Sequence, residues 1–214
     1  MNEKELLRFD FSKKYVFFDY ETENLNLRKG NRPWQLAYLI AKGKKILDFR
    51  DAYLYWPNIN VSPAAAKITG FKKSTYKARC EDPKKVLREF DEIIRDPEYV
   101  ICGHNILNFD VYLYNIHRKE CGLPSNYDFL DRCIDTNCLA KAIKLDVKYN
   151  QEEYDFISWQ YRFTQHRKRG LKTNLGLLCK EYNIDFDPNM LHDARYDIEK
   201  NFEVFHKQLW DLEI

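Results

Sequence analysis

The 214-residue chain carries 35 basic and 33 acidic side chains for a formal net charge of +2, which excludes a protein that holds nucleic acid mainly by bulk positive charge. A chain of this length buries about 70% of the surface it exposes when unfolded, so its stability requires neither disulfides nor structural zinc. Six cysteines without a C-x-x-C pair argue against zinc and for a reducing, intracellular (cytoplasmic) setting; no signal-like N-terminus or run of about 18 apolar residues predicts a membrane segment, so the expectation is a soluble protein.

Three strand-like runs open the chain: YVFFDY (15–20), WQLAYLIA (34–41) and KILDFRDAYLY (45–55). Short turn-rich joints between them predict an antiparallel meander. Pro63 and Pro83 then start helical stretches, 62–70 and 82–96, and the second gathers Val86, Leu87, Phe90, Ile93 and Ile94 on one face. A short apolar strand, EYVIC (98–102), leads through GHN into a helical pattern over 108–119. Further helices are predicted at 133–144, 171–182 and 193–210, the last with Ala194, Ile198, Phe202, Phe205 and Leu209 at helical spacing. The order predicts an α/β fold, a mixed sheet with helices on both faces. Residues 146–170 break the rhythm: Ile157, Trp159, Tyr161 and Phe163 alternate with polar residues, a period of two that predicts a hairpin or loop insertion.

Asp19 and Glu21 end the first strand. Acid-x-acid pairs are common on solvated surfaces, but YVFF is apolar on both faces, as in a buried central strand, and strand alternation puts both carboxylates on one face. Two close anions in a low-dielectric place repel unless a cation compensates. Oxygen-only ligands suit Mg²⁺ or Mn²⁺ rather than zinc. Asp110, in GHNILNFD, falls at a helix start near the sheet's carboxyl edge; it either joins these acids or complements its helix dipole. In LHDARYDIEKNF, Asp193 reads as the N-cap of the final helix and Asp197 lies one turn in. On one continuous helix His192 and Asp197 would point about 140° apart, so cooperation requires His192 to sit in the preceding loop; otherwise it is a surface histidine.

Taken in order, D-x-E in a first strand, Asp at the helix start after GHN, and H-x₄-D near the C-terminus resemble the DEDDh exonucleases, the family of polymerase III epsilon-like proofreading subunits and ribonuclease T. VSPAAAKITGF, CIDTNCLAKAI and NLGLLCKEYNID resemble further segments of that family, and the likeness spans roughly residues 13–208. It implies a ribonuclease H-like fold with a five-stranded mixed sheet, forming a single 3′→5′ exonuclease domain over 1–214. It also implies two divalent ions held by Asp19, Glu21, Asp110 and Asp197, with His192 as general base, and nucleoside 5′-monophosphate released from the 3′ end of DNA or RNA.

The resemblance further assigns Thr22 and Leu25 to the terminal nucleotide, and Asn105 joins the expected substrate contacts. Glu23 and Asn24 depart from the family's Thr-Gly turn; Glu23 adds negative charge beside an anionic strand, which counts against nucleotide affinity. Rings and cations interleave over 157–169, so Trp159, Arg167, Lys168 and Arg169 are expected to border the groove and grip the upstream strand. Expected partners are a nucleic acid with a free 3′ end and a polymerase or repair protein in trans. A non-catalytic or trans-acting nucleic-acid-binding subunit of a polymerase or repair assembly and a phosphohydrolase of short oligonucleotides or nucleotides are the alternatives.

Overall fold

The computed structural model describes residue 10 and residues 12–24, 27 and 31–212. Strands β1 (Lys14–Thr22), β2 (Pro33–Lys42) and β3 (Lys45–Leu54) form the predicted meander; α1 (Pro63–Thr69), α2 (Lys73–Arg79), β4 (Cys80–Glu81), α3 (Pro83–Arg95) and β5 (Tyr99–Gly103) follow. Then come α4 (Asp110–Glu120), a 3₁₀ turn at Leu130–Arg132, β6 (Cys133–Asp135), α5 (Thr136–Leu145), α6 (Phe156–Thr164), α7 (Leu175–Glu181) and α8 (Ala194–Asp211). Among the described residues the sheet has six strands in the order β4-β3-β2-β1-β5-β6. β1 and β3 run antiparallel to β2, while β5 is parallel to β1, β6 to β5 and β4 to β3. The strand beyond the expected five includes β4, two residues that follow α2 directly, too short to show a period of their own.

β1 sits inside the sheet because its side chains are apolar on both faces. Val16, Phe18 and Tyr20 pack with Phe90 of α3 and with Val111, Leu113 and Tyr114 of α4. Tyr15 and Phe17 point the other way, against α5, α6 and α8. Phe17 meets Phe202 and Phe205 edge-on, with ring centroids 5.3 and 5.4 Å apart. Alternation therefore hands Asp19 and Glu21 to the α8 side of the sheet.

The period-two reading of 157–163 is overturned: Phe156–Thr164 is helical, capped by Asp155, whose carboxylate accepts the Ser158 N–H at 2.8 Å. Trp159, Gln160 and Phe163 are its buried residues, a spacing of three and four rather than two. Gln160 covers the exposed edge of β6, accepting the Asp135 N–H at 2.7 Å and donating to the Cys133 carbonyl at 2.9 Å. The segment thus lies outside the sheet as a helix between loops, and no hairpin forms there. The predicted helix over 133–144 likewise begins three residues late, because Cys133–Asp135 is strand.

Candidate active site

The sheet's carboxyl edge opens where β5 ends. β1 and β5 pair only as far as Phe17 and Cys102. Beyond that point the Tyr20 N–H donates to Asp110 Oδ1 at 2.9 Å, so the first residue of α4 replaces the missing ladder partner. Gly103 permits the departure, since a Cβ there would come within 1.9 Å of the Ile106 side chain and 3.0 Å of the Phe18 carbonyl. Asp135 holds the following loop: its carboxylate accepts the N–H groups of Asn105, Leu107, Asn137 and Cys138 at 2.9 to 3.2 Å.

A cleft of about 440 Å³ occupies this edge, and Asp19, Glu21, Asn105, Asp110, His192 and Asp197 all line it. One carboxylate oxygen from each of Asp19, Glu21 and Asp197 lies within 4.8 Å of the others. Asp110 lies beside that trio, buried and committed through one oxygen to Tyr20. His192 stands in the loop before α8 with φ +68°, a left-handed backbone, and its N–H donates to Asp197 Oδ2 at 3.2 Å. The loop position required for His192 and Asp197 to share a site is the one observed.

Burial pushes the Asp19, Glu21 and Asp110 carboxyls well above the usual range, and neighbouring acids push them further; Asp110, Glu21 and Asp197 act on Asp19, and Asp197 and Asp110 on Glu21. Burial also raises Asp197, to about 7, against the opposing His192 N–H. For His192 partial burial acts in the other direction and lowers the imidazole pKa, which keeps the ring neutral at physiological pH. Clustered desolvated carboxylates are costly without a cation, and Asp197 Oδ1 is buried with no hydrogen-bond partner among the described residues. The donor set is all oxygen. The residues fit hard divalent ions such as Mg²⁺ or Mn²⁺.

The other expected contacts divide. Thr22 is buried and its hydroxyl donates to the Asn24 carbonyl at 2.5 Å, so it shapes the turn and does not line the cleft. Leu25 lies outside the described residues. Trp159 is 1% exposed, enclosed by Tyr149, Phe156 and Phe163; it is a core residue and offers no face to a base, because the helical turn of α6 points it inward. Arg167, Lys168 and Arg169 are exposed in the loop after α6, outside the cleft lining.

The charge on Glu23 does not reach the cleft. Its carboxylate is buried against Arg32 in a bidentate pair of 2.8 and 3.1 Å and also accepts the Asn60 N–H at 2.6 Å. Burial alone would raise its pKa, but the Arg32 and Asn60 donors prevail and hold it below the ordinary glutamate value of 4.5. Glu23→Ala is expected to cost about 1–3 kcal/mol by removing the carboxylate from the Arg32 guanidinium, which keeps only the Pro57 and Asn58 carbonyls, and by leaving the Asn60 N–H without its acceptor. Because the folded pKa is depressed, this stabilisation is complete above pH 4.5 and lost as pH falls through the lower folded value. Melting curves of wild type and variant should therefore converge in acid; a constant gap from pH 7 to 3 would remove the ion pair as the cause.

Sequence alone does not single out His104, Asn137, Asn174 and Asn201, which also line the cleft. Thr136 joins two of them, its hydroxyl 2.9 Å from His104 Nδ1 and 2.6 Å from Asn201 Oδ1. Asn201 lies four residues after Asp197 on α8, and that spacing is the signal that places both on one face.

Comparison with known proteins bears on the family and the fold. The exonuclease family model RNase_T matches residues 16–205. A PolC-type DNA polymerase III of Ureaplasma parvum serovar 3 is 24% identical over 191 residues, 89% of this chain but 11% of the polymerase. Among solved structures, E. coli exonuclease I with a dT13 oligonucleotide superposes with a TM-score of 0.69 at 18% identity, covering 94% of this chain and 41% of that one. A zinc-bound exonuclease I complex with single-stranded DNA gives 0.68 at 18%, covering 92% and 40%. This chain thus spans about a tenth of the polymerase and two-fifths of exonuclease I. With a family match from residue 16 to 205 and this sheet order, the chain belongs to the exonuclease family, in its DEDDh type on a ribonuclease H-like fold.

Proposed function

We propose that the chain is a metal-dependent 3′→5′ exonuclease that hydrolyses the terminal phosphodiester of DNA or RNA and releases nucleoside 5′-monophosphates. The observation that most supports this is the Asp19, Glu21 and Asp197 cluster, its oxygens within 4.8 Å of one another, with Asp110 and His192 on the same cleft. When bound, two divalent ions supply positive charge at the phosphate and make the attacking water more acidic. Asp19, Glu21, Asp110 and Asp197 would hold them. His192, neutral at physiological pH, accepts the proton of the attacking water at an imidazole nitrogen. The water oxygen forms a bond to phosphorus as the P–O3′ bond breaks, and the 3′-oxygen leaves with the shortened strand, protonated from solvent. Asn105 and Phe109 line the same cleft, and in this reading they orient the last nucleotide.

The exonuclease I neighbours were solved with single-stranded DNA or a dT13 oligonucleotide, which supports a single strand as substrate. The PolC-type relative, itself a DNA polymerase III, supports a setting beside a polymerase. The test incubates 5′-labelled single-stranded DNA, duplex DNA and RNA with the protein in Mg²⁺, Mn²⁺ or chelator. A ladder shortening from the 3′ end, metal-dependent, is the expected result. Intact strands under all conditions, or shortening from the 5′ end, would overturn the reading.

A further inference from the structure

We infer that the strand upstream of the cleaved bond leaves the acidic cleft over the ridge Asn108–Asp110 and stacks its bases on Tyr112, Tyr127 and Tyr161. This rests on the proposed exonuclease reading and extends it to a strand-binding track. Phe109 and Asp110 line the acidic cleft, whereas Asn108 and Tyr112 line a second cleft of about 480 Å³, together with Ile116, Lys119 and Tyr127. The two clefts are therefore separated by one turn of chain at the start of α4.

Tyr112, Tyr127 and Tyr161 are 43%, 45% and 38% exposed. They come from three elements: α4, the loop before β6, and α6. Gln165, four residues after Tyr161, hydrogen-bonds Asn108, which ties the end of α6 to the ridge from which Tyr112 projects. Bases stack on such faces irrespective of sequence.

Charge distinguishes a nucleic-acid strand from an apolar partner. Lys119 is the one charged side chain lining the second cleft among the described residues. Gln165 donates to Asn108 Oδ1 at 2.5 Å, which anchors the start of the His166–Arg169 run beside the ridge. Those four residues are exposed, and Arg167, Lys168 and Arg169 make no ion pair among the described residues. A polyanion repelled by uncompensated carboxylates in the first cleft thus meets cations and rings on its far side.

The test measures binding of 5′-fluorescent dT2 and dT12 by anisotropy in chelator, where binding is read without hydrolysis, for wild type, the Tyr112→Ala/Tyr127→Ala/Tyr161→Ala triple variant and the matching triple Phe variant. The alanine variant should lose about 100-fold in affinity for dT12 relative to dT2, and the phenylalanine variant should retain it, since stacking needs the ring and not the hydroxyl. Melting temperatures report whether each variant is folded. A folded alanine variant with the wild-type dT12-to-dT2 ratio would overturn the track, even where wild type shortens strands from the 3′ end; absence of that shortening in wild type would instead overturn the exonuclease reading.

Discussion

Asp19→Asn should abolish hydrolysis, by at least ~10³-fold, while raising the melting temperature of the protein in chelator. The two effects share one cause. In the folded protein the Asp19 carboxyl is desolvated and faces Asp110, Glu21 and Asp197, and each of these raises its pKa. Its ionised form at neutral pH therefore costs stability that an unfolded chain does not lose. Replacing the anion by a neutral amide of the same shape removes that cost, so the melting temperature in chelator should rise. Adding Mg²⁺ should reverse the order: at 100 times the dissociation constant an ion contributes about 2.7 kcal/mol to wild type, and the variant, short of a ligand, gains less. Nucleotide release at saturating substrate and melting curves with and without metal measure both halves. A variant that is less stable than wild type in chelator would show that Asp19 serves the fold rather than a charged site.

His192→Asn should lower kcat by about 10²–10⁴-fold with little change in KM. Asparagine is the informative substitution because His192 has φ +68°, and Asn tolerates the left-handed region better than alanine. The backbone N–H that donates to Asp197 is thereby kept. Removing the imidazole leaves the four carboxylates in place, so the metal-dependent rise in melting temperature should match that of wild type. This separates loss of a proton acceptor from loss of the ion. A kcat within tenfold of wild type would remove His192 as the general base.

Much of this site was legible because its signals are local. Apolar residues on both faces of YVFF place β1 inside the sheet, and alternation then fixes Asp19 and Glu21 to one face. The N-cap at Asp193 sets the start of α8 and leaves His192 in the loop, where it lies against Asp197. The failures share a different origin. Residues 157–163 satisfy a period of two, yet Asp155 and Ser158 form a cap and Trp159 and Phe163 bury on one helical face. Seven residues are too few to separate the two periods by hydrophobicity alone. The same error exposed Trp159 as a stacking platform, when the ring with an open face on that helix is Tyr161.

The reading of Glu23 failed because a charge was counted without its partner. Arg32 reaches it from nine residues away and Asn60 from thirty-seven, and composition carries no record of that pairing. Asp110 shows the converse: a carboxylate at a helix start is explained locally by the helix dipole, and only the open N–H of Tyr20, ninety residues distant, gives it a place beside the trio.

By itself the sequence determined the α/β order, the central strand, the acidic residues that could share an edge and the loop position of the histidine, because hydrophobic periodicity and capping act over a few residues. The tertiary structure alone decided that Asp19, Glu21 and Asp197 meet within 4.8 Å, that Glu23 is neutralised away from the cleft, and that Tyr112, Tyr127 and Tyr161 stay exposed while Trp159 is buried. Those outcomes depend on how separate elements pack, and burial and charge pairing between distant residues are properties of the folded chain, not of any one segment.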